Sequence, residues 1–382
     1  MSADASGSQL LPAMLYEAFR AAGVTYFCGV PDSLLSPVGY YLADHAGQDH
    51  DIAANEGNAV ALAIGAYAAS KKVPLVYMQN SGLGNALNPL VSLADPLVMA
   101  IPMVLLVGWR GQPGHEDEPQ HKKQGPITTS LLDALGITYQ ILSKDARQAK
   151  LQIGRAVHIA QELQQPVALV VEAGTIAPYD RPGGVQAYPL SREQAIQAVI
   201  QSLDERDAVI ATTGKASREL FEYREKSGQG HRRDLLIVGG MGHASTIAAA
   251  IAQHKPGRRI YCIDGDGALL MHMGALPIIG SKRLKNFYHI IINNGAHESV
   301  GGQPTVGFMI DIPAIAQASG YAHVRRVTEA TELTAALQAI RELDGPVLLE
   351  VRVNTLPRSE LSRPTISPTD NRAAFMSFLD EV

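Results

Sequence analysis

The chain has 382 residues, of which 46% are hydrophobic, so it is long and apolar enough to form more than one core. Its formal net charge of −5 is mild, and the lysines and arginines form no long basic run that would indicate nucleic-acid binding. No signal-peptide pattern or membrane-length apolar run is present. We therefore expect a cytoplasmic globular protein that binds neither nucleic acid nor membrane, with Cys28 and Cys262 as buried free thiols.

The first half of the sequence alternates short apolar runs with longer helical patterns. We predict helices at 9–22, 56–70 and 146–163, a further helix near Leu131, and strands at 25–28, 52–54, 73–78, 101–107, 138–142 and 167–172. Alternation of this kind is typical of a parallel sheet with right-handed crossovers. The stretch 109–127 is rich in glycine, proline and charge, and is predicted to be a long loop, either functional or disordered.

The second half repeats the same alternation after a segment rich in proline and glycine. We predict helices at 192–203, 268–280 and 331–343, strands at 208–211, 235–238, 259–263, 287–292 and 347–353, then an extended arm at 357–369 and a short docking helix at 371–379. The predicted fold is α/β, with two doubly wound parallel-sheet domains. The predicted boundaries are 1–180 for the first domain, 181–189 for the linker and 190–382 for the second domain.

Polar residues follow two neighbouring predicted strands of the second half. Gly265-Asp266-Gly267 comes after strand 259–263, and Asn293-Asn294 ends strand 287–292. In open α/β sheets, ligands bind at the carboxyl ends of the strands. The oxygens of Asp266 and Asn294 suit Mg²⁺, and the glycines let backbone N–H groups approach a phosphate. The pattern indicates a magnesium–diphosphate site, although Gly-Asp-Gly alone also occurs as a plain strand-end turn.

These segments resemble the thiamine diphosphate (ThDP) motif. The longer stretches 265–276, Gly-Asp-Gly-Ala-Leu-Leu-Met-His-Met-Gly-Ala-Leu, and 293–305, Asn-Asn-Gly-Ala-His-Glu-Ser-Val-Gly-Gly-Gln-Pro-Thr, are similar to the phosphonopyruvate decarboxylase family of ThDP-dependent 2-oxo acid decarboxylases. The resemblance continues in Pro31-Asp-Ser-Leu-Leu, Ala54-Asn-Glu-Gly-Asn-Ala-Val-Ala-Leu, Tyr77-Met-Gln-Asn-Ser-Gly and Gly108-Trp-Arg-Gly. It implies a pyrimidine-binding domain followed by a pyrophosphate-binding domain, with no middle domain.

The resemblance also implies which residues hold the cofactor and its metal. Asp266, Asn294 and the backbone carbonyl of Ala296 are the expected Mg²⁺ ligands, and the N–H groups of Gly267 and Ala268 are expected to bind the diphosphate. The implied cofactor-binding set is Glu56, Thr213, Gly214, Lys215, Gly240, Met241, Gly265, Asp266, Gly267, Ala268, Asn294 and Ala296.

Two members of that set have plain alternatives. Met241, between Gly240 and Gly242, resembles the position of the apolar wedge that bends the cofactor, and the alternative is an ordinary core methionine. Lys215, in the segment Thr213-Gly214-Lys215, suits a phosphate charge, but it could equally be a solvated surface residue.

The cofactor also needs a carboxyl group beside its pyrimidine ring. That acid protonates the pyrimidine N1′, and it works best in a mostly apolar setting. Glu56 lies at a predicted strand-to-helix junction among alanines and matches the family's glutamate motif; the alternative is an ordinary acid at a helix N-terminus. In the family this glutamate reaches a cofactor held by another chain. The resemblance therefore implies a homodimer or higher homo-oligomer with active sites at subunit interfaces.

The expected substrate is a small 2-oxo acid that carries a second anionic group. Arg110 is our first candidate to bind that group, because Trp109-Arg110 resembles the family loop and arginine can contact an oxyanion with two N–H groups. His297 is a candidate proton relay for aldehyde formation, and Asp32 is either a second relay or a helix cap. For each cation of the long loop the alternative is a solvated position. The substrate-binding candidates are Arg110, Ser81, His115, His121, Lys122 and His297.

The resemblance implies decarboxylation of 3-phosphonopyruvate to phosphonoacetaldehyde and CO₂, a step of phosphonate biosynthesis, with ThDP and Mg²⁺ as cofactors. The nearest alternative is sulfopyruvate decarboxylation, because a sulfonate is a similar tetrahedral anion. Another ThDP-dependent 2-oxo acid decarboxylase and a non-catalytic ThDP-binding protein also remain open. An NAD-linked dehydrogenase is disfavoured, because Leu87 and Leu270 stand where the dinucleotide motif needs its third glycine.

Overall fold

The computed structural model describes residues 9–180, 187–356, 358 and 360–381. The chain divides into two compact units, Met1–Pro182 and Gly183–Val382, and each contains a six-stranded sheet whose neighbouring strands are parallel. The predicted α/β class with two parallel sheets is confirmed. Residues 181–186 of the predicted linker lie outside the described residues, and so do Pro357 and Ser359 of the predicted arm.

The described residues of the first unit form six α-helices around a sheet of order β2-β1-β3-β4-β6-β5. Its strands β3, β4 and β6 are buried almost throughout, as expected for a parallel sheet covered on both faces. The strands are β1 (Phe27–Gly29), β2 (His50–Ile52), β3 (Leu75–Gln79), β4 (Met103–Gly108), β5 (Thr138–Ile141) and β6 (Pro166–Val171); the helices are α1 (Pro12–Ala21), α2 (Ser36–His45), α3 (Glu56–Ser70), α4 (Leu83–Pro89), α5 (His121–Ala134) and α6 (Ala146–Leu163).

The second unit has the sheet order β11-β12-β10-β9-β7-β8. The chain runs from β7 to β8 at one edge of the sheet and then crosses back to form β9 on the other side of β7. The direction of winding therefore changes between β7 and β9, and such sheets bind ligands at this switch point. The strands are β7 (Ala208–Ala211), β8 (Asp234–Leu236), β9 (Ile260–Gly265), β10 (Phe287–Asn293), β11 (His323–Val327) and β12 (Val347–Arg352); the helices are α7 (Arg192–Gln201), α8 (Lys215–Lys226), α9 (Ala244–His254), α10 (Asp266–Met271), α11 (Ala275–Lys282), α12 (Ile312–Ala318), α13 (Ala330–Ile340) and α14 (Pro368–Asp380).

The predicted loop 109–127 was too long, because α5 already begins at His121. Gly125 and Pro126 look like helix breakers in the sequence, yet both lie inside this helix. Gly125 is needed for packing: a Cβ there would lie 1.5 Å from the carbonyl oxygen of Gly111. The indole N–H of Trp109 also donates to the Gly125 carbonyl at 2.9 Å, which ties the helix to the end of β4.

Two further elements of the second unit differ from the prediction. The predicted helix 268–280 is broken into α10 and α11, with His272 in a non-helical conformation between them. The edge strand β11 and helix α12 were missed, because β11 alternates exposed and half-buried positions and carries charged residues, as edge strands often do. Both cysteines are buried and free, as predicted. None of the helices in the described residues combines the length and the apolar character needed to cross a membrane.

Candidate active site

The carboxylate of Asp266 lies buried at the carboxyl edge of the second sheet. Asp266 begins α10 directly after β9, and its carboxylate accepts hydrogen bonds from the Thr305 hydroxyl and from the backbone of Asn294 and Gly267. Burial raises the pKa of Asp266 to about 6, and these hydrogen bonds oppose that shift. A buried carboxylate beside an asparagine amide offers the oxygen ligands that Mg²⁺ takes in proteins. The fold therefore brings Asp266 and Asn294 together, although they are separated by a helix–helix–strand segment in the sequence.

The segment after β10 folds back on itself as a short antiparallel pair. Ala296 bridges Pro304, and the His297 N–H donates to the Gln303 carbonyl at 2.8 Å. His297 is buried, and desolvation lowers its pKa to about 4, so the imidazole is neutral at pH 7. The backbone carbonyl of Ala296, expected as a metal ligand, belongs to this folded-back segment.

Close packing brings His297, Gly267 and Met241 together. A Cβ on Gly267 would lie 2.9 Å from Nδ1 of His297 and 3.4 Å from the terminal methyl of Met241, so only glycine fits there. Met241 is flanked by Gly240 and Gly242, which have φ angles of 62° and 88°, a region that glycine adopts without strain. The residues predicted to act as the wedge, to bind the diphosphate through the backbone and to relay a proton are therefore neighbours in the fold.

The side chain of Lys215 is ion-paired with Glu298, a residue outside the predicted site. Its Nζ lies 2.8 Å from Oε1 of Glu298, which also pairs with Arg192 and accepts a 2.8 Å hydrogen bond from the Asn294 amide. Burial opposes ionisation of Glu298, but Arg192 and Lys215 outweigh it and lower its pKa. Lys215 is therefore not a simple solvated residue, and its charge lies next to the amide of Asn294.

The other predicted cofactor residues lie at the ends of the same strands. Gly214 has a φ of 96°, and a Cβ there would lie 2.4 Å from the Ser299 hydroxyl, so the predicted segment 213–215 packs against the segment after β10. The Thr213 hydroxyl donates to the Val238 carbonyl at 2.8 Å. Gly265 precedes α10 as its N-cap, and Ala268 is buried within that helix.

The side chain of Glu56 is buried in the first unit. Glu56 begins α3, and its Oε2 accepts a 2.7 Å hydrogen bond from the side-chain amide of Asn85. A Cβ on Gly82 would lie 2.6 Å from Oε1, so the carboxylate packs directly against the segment after β3. Asn55 caps the helix instead, by accepting the Asn58 N–H at 3.0 Å. Glu56 is therefore held by groups outside its own helix, unlike an ordinary acid at a helix N-terminus.

Asp32 is buried shortly after β1, and its carboxylate accepts hydrogen bonds from the nearby backbone. Its Oδ2 accepts the N–H groups of Leu34 and Leu35 at 3.1 and 3.2 Å, as a capping residue would. Its Oδ1 is buried and has no hydrogen-bond partner among the described residues. Burial raises the pKa of Asp32 to about 6, against the opposing charge of Arg110. One oxygen thus caps the turn before α2, and the other remains available to a ligand.

Arg110, the first candidate for the substrate's anionic group, is already engaged. Its Nε and one terminal nitrogen contact the Asp117 carboxylate at 2.9 and 2.5 Å, and its other terminal nitrogen donates to the Ser33 hydroxyl at 2.7 Å. Burial opposes ionisation of Asp117, but Arg110 and His121 hold its pKa well below its usual value. The guanidinium edge that could donate two N–H groups to a substrate oxyanion therefore already donates to the Asp117 carboxylate.

Four of the remaining substrate candidates separate into inner and outer positions. Buried His121 contacts Asp117 at 2.9 Å through Nδ1, and its Nε2 lies 3.4 Å from the Gln79 amide, which also donates to the Ser81 hydroxyl at 2.7 Å. Ser81, His121 and Arg110 therefore form one connected network. His115 and Lys122 are exposed and outside these contacts. The signal that could have identified Asp117 is its spacing of four residues from His121.

Comparison with known proteins identifies the family. The N-terminal thiamine pyrophosphate (TPP) binding domain of thiamine pyrophosphate enzymes matches residues 11–132, and the C-terminal TPP binding domain matches residues 212–351. The phosphonopyruvate decarboxylase of Streptomyces viridochromogenes is 34% identical to this chain, covering 94% of this chain and 92% of that protein. The chain belongs to the phosphonopyruvate decarboxylase family.

A second phosphonopyruvate decarboxylase, from Streptomyces hygroscopicus, is 33% identical and covers 94% of this chain and 91% of its own length. A sulfopyruvate decarboxylase from Methanosarcina acetivorans is more distant, at 28% identity over 75% of this chain and 78% of that protein. Membership of the phosphonopyruvate decarboxylase family confirms the predicted ThDP cofactor and the predicted order of the two TPP-binding domains. It also removes the NAD-linked dehydrogenase from consideration.

Proposed function

We propose that the chain catalyses the ThDP- and Mg²⁺-dependent decarboxylation of 3-phosphonopyruvate to phosphonoacetaldehyde and CO₂, as a cytoplasmic step of phosphonate biosynthesis. The observation that carries this proposal is identity of 33–34% along 94% of the chain to two phosphonopyruvate decarboxylases. The sulfopyruvate decarboxylase is less similar and matches a smaller share of the chain. The two free, buried cysteines suit a reducing compartment.

The proposed metal ligands are Asp266, Asn294 and the carbonyl of Ala296. A cation at Asp266 would stabilise its ionised form, which burial disfavours in the free protein. The N–H groups of Gly267 and Ala268 would bind the diphosphate, and the absence of space for a Cβ at Gly267 supports a close backbone approach. Met241 would be the apolar side chain that keeps the cofactor bent. The positive φ angles of Gly240 and Gly242 set the backbone turn on either side of it. When bound, ThDP supplies the electron sink for the electrons released with CO₂.

The other proposed cofactor contacts are electrostatic and local. Lys215 would place positive charge near the diphosphate, and its ion pair with Glu298 holds the ammonium group beside Asn294. Thr213 and Gly214 would shape the loop on the diphosphate side, because the hydroxyl of Thr213 is tied to the Val238 carbonyl. Gly265 would set the turn from β9 into α10.

Glu56 is proposed to hold a proton at the pyrimidine N1′ of a cofactor bound by a second copy of the chain. Its hydrogen bond from Asn85 fixes the carboxyl group in a buried position. We therefore propose a homodimer or higher homo-oligomer with active sites at subunit interfaces.

Exposed apolar residues on the first unit support an interface between copies. Leu97 is 95% exposed, and Val98 and Met99 beside it are half exposed. Large exposed apolar groups that cluster in this way are typical of interaction surfaces. The exposed large apolar residues of α3, of α4 and of the segment after α4 are Leu62, Leu87, Val91, Leu93, Leu97, Val98 and Met99. Helices α3 and α4 pack against each other, so a partner that covers these residues would lie on the helix that begins with Glu56.

The substrate's second anionic group is proposed to bind near Arg110, Ser81 and His121, with His115 and Lys122 as outer cations. These residues have the positive or hydrogen-bonding character that a phosphonate needs. His297 is proposed to move the proton that completes the aldehyde, because its imidazole lies against Gly267 at the centre of the second unit's site. Asp32, one of whose oxygens has no hydrogen-bond partner in the described part of the chain, is proposed as a second proton relay.

The proposal is tested by CO₂ release from 3-phosphonopyruvate in the presence and absence of ThDP and Mg²⁺. We expect release and phosphonoacetaldehyde formation only when both are present, with a higher kcat/KM than for sulfopyruvate. Equal or better turnover of sulfopyruvate would overturn the substrate assignment. Cofactor binding without CO₂ release from either acid would favour a binding-only protein.

A further inference from the structure

The side-chain amide of Gln303 is buried but unsatisfied. Gln303 is 1% exposed, and neither its Nε2 nor its Oε1 has a hydrogen-bond partner among the residues that the structure describes. Folded proteins pair nearly all buried polar atoms with protein groups, water or ligands, so an amide with both ends unpaired by protein is a candidate for binding a ligand. We propose that Gln303 is a substrate-binding residue whose Nε2 donates to an anionic oxygen of the 2-oxo acid, an inference that rests on the proposed function.

The strand pairing after β10 shows which way this side chain faces. The Thr305 N–H donates to Gly295 at 2.8 Å and the His297 N–H donates to Gln303 at 2.8 Å, so His297 lies opposite Gln303 across the pair. Residues opposite each other in an antiparallel pair carry their side chains on the same face, and so do residues two apart along one strand. The side chains of His297, Gln303 and Thr305 therefore share one face.

That face lies against the proposed cofactor site. The Thr305 hydroxyl donates to the Asp266 carboxylate, and the imidazole of His297 contacts Gly267. Gln303 lies two residues from Thr305, which is roughly 6–7 Å along a strand. Its amide therefore lies beyond the metal end of the site and next to His297, the proposed proton relay. This position favours contact with the reacting acid over contact with the diphosphate.

The chemistry of the amide matches an acid with two anionic groups. Glutamine offers two N–H donors and one carbonyl acceptor. A carboxylate or phosphonate oxygen accepts such an N–H in a charge-assisted hydrogen bond, which is stronger than a neutral one. The carbonyl oxygen then accepts from a water molecule bound with the substrate. Gln303 carries no charge of its own, so it can be buried in the ligand-free enzyme without an ionic partner.

The first test is Gln303→Met, which keeps the approximate size of the side chain and removes its hydrogen-bonding groups. We expect the KM for 3-phosphonopyruvate to rise roughly tenfold, with little change in kcat or in the Kd of the Mg²⁺–ThDP complex. The melting temperature of the ligand-free protein should stay the same or rise, because the substitution removes two unsatisfied buried atoms. Exposed Gln317→Met on α12 is the matched control and should change none of these quantities.

The second test is Gln303→Glu, which places a negative charge beside the substrate and should raise the KM more than methionine does. An unchanged KM in both variants of an enzyme whose wild type is active would overturn the role of Gln303 and leave the proposed function standing. A lower melting temperature of Gln303→Met, or a weaker cofactor Kd of that variant with an unchanged KM, would overturn it as well. A wild-type protein that binds Mg²⁺–ThDP but releases no CO₂ would overturn the function and, with it, the substrate contact.

Discussion

The carboxylate of Glu350 accepts a 2.8 Å hydrogen bond from the side-chain amide of Asn293. Glu350 lies fully buried on β12, and Asn293 ends the neighbouring strand β10. The Asn293 amide also donates to the Gly307 carbonyl at 2.8 Å, and its oxygen accepts the Gly295 N–H at 3.0 Å. Asn293 therefore joins both ends of the segment that carries the proposed metal ligand Asn294, and Glu350 holds Asn293 in place.

Glu350→Gln should weaken Mg²⁺ binding. The variant keeps an oxygen for Asn293 but loses the charge that pairs with Arg326 at 2.6 Å and Arg352 at 3.0 Å, so the amide is free to rotate away. We expect the Kd for Mg²⁺ at saturating ThDP to rise by roughly tenfold, the lower end for groups that orient metal ligands. Titration by calorimetry measures this Kd. Exposed Glu342→Gln is the control, and a Kd unchanged by Glu350→Gln would show that Asn293 does not need this support.

Glu56→Gln should remove activity without releasing the cofactor. Glutamine keeps the shape of the side chain and can still contact Asn85, but it cannot supply a proton to the pyrimidine. We expect kcat to fall by roughly 10²–10⁴, the usual contribution of a positioned acid or base. The Kd for Mg²⁺–ThDP should stay close to the wild-type value, and exposed Glu17→Gln should retain full activity. Wild-type turnover by Glu56→Gln would remove Glu56 from the mechanism.

Arg110→Ala should affect the KM for 3-phosphonopyruvate far more than Lys122→Ala does. Arg110 is half-buried in the network with Asp117 and Ser33, whereas Lys122 is exposed. We expect a KM increase of roughly tenfold or more for Arg110→Ala, a smaller increase for Arg110→Lys, and none for Lys122→Ala. Steady-state kinetics measures all three. Equal effects at the two positions would indicate a general charge effect of the loop.

Because part of the arginine's role is structural, the same variants need a stability measurement. Arg110→Ala leaves the Asp117 carboxylate without its main partner, so a lower melting temperature is expected alongside the change in KM. Asp117→Asn should lower the melting temperature for the same reason. An unchanged KM, with an apparent kcat that falls only in proportion to the lost folded protein, would assign Arg110 to the fold alone.

Asp32→Asn should change how stability depends on pH. Burial raises the pKa of Asp32 from 3.8 to about 6, so the folded state prefers the protonated acid. The stability that this preference contributes is present below pH 4 and is lost as the pH rises through about 6. A shift of about two units corresponds to about 3 kcal/mol of unfolding free energy. Relative to wild type, Asp32→Asn should therefore gain stability between pH 4 and pH 6.

Urea unfolding of the two proteins at a series of pH values measures this difference. Above the folded-state pKa the difference should be constant, because Asp32 is then ionised in both the folded and the unfolded state. A difference that does not vary with pH would mean that the pKa of Asp32 is the same in the folded and the unfolded state, with the charge of Arg110 cancelling the effect of burial.

Local sequence was enough to predict the helices that contain both their own capping residue and an uninterrupted helical pattern. Helices α3 and α6 begin and end where predicted, because a capping residue, Asn55 or Asp145, precedes an uninterrupted helical pattern in each. The meeting of Asp266 with the asparagines was also predictable, since the carboxyl ends of parallel strands share one edge of a sheet.

The pairings within the site came only from the tertiary structure. The loop that follows Arg110 contains three acidic residues, Glu116, Asp117 and Glu118, and the sequence does not say which of them pairs with the arginine. Nothing near Asn293 indicates Glu350, which lies 57 residues further along. Gly125 was predicted to lie in a loop, and only its packing on Gly111 explains why a glycine lies inside α5. Sequence patterns report a residue's own backbone and burial preferences, whereas a hydrogen-bond partner on another strand is set by strand order and register. Strand order and register therefore decided which polar groups of this protein are satisfied and, as at Gln303, which are left for a ligand.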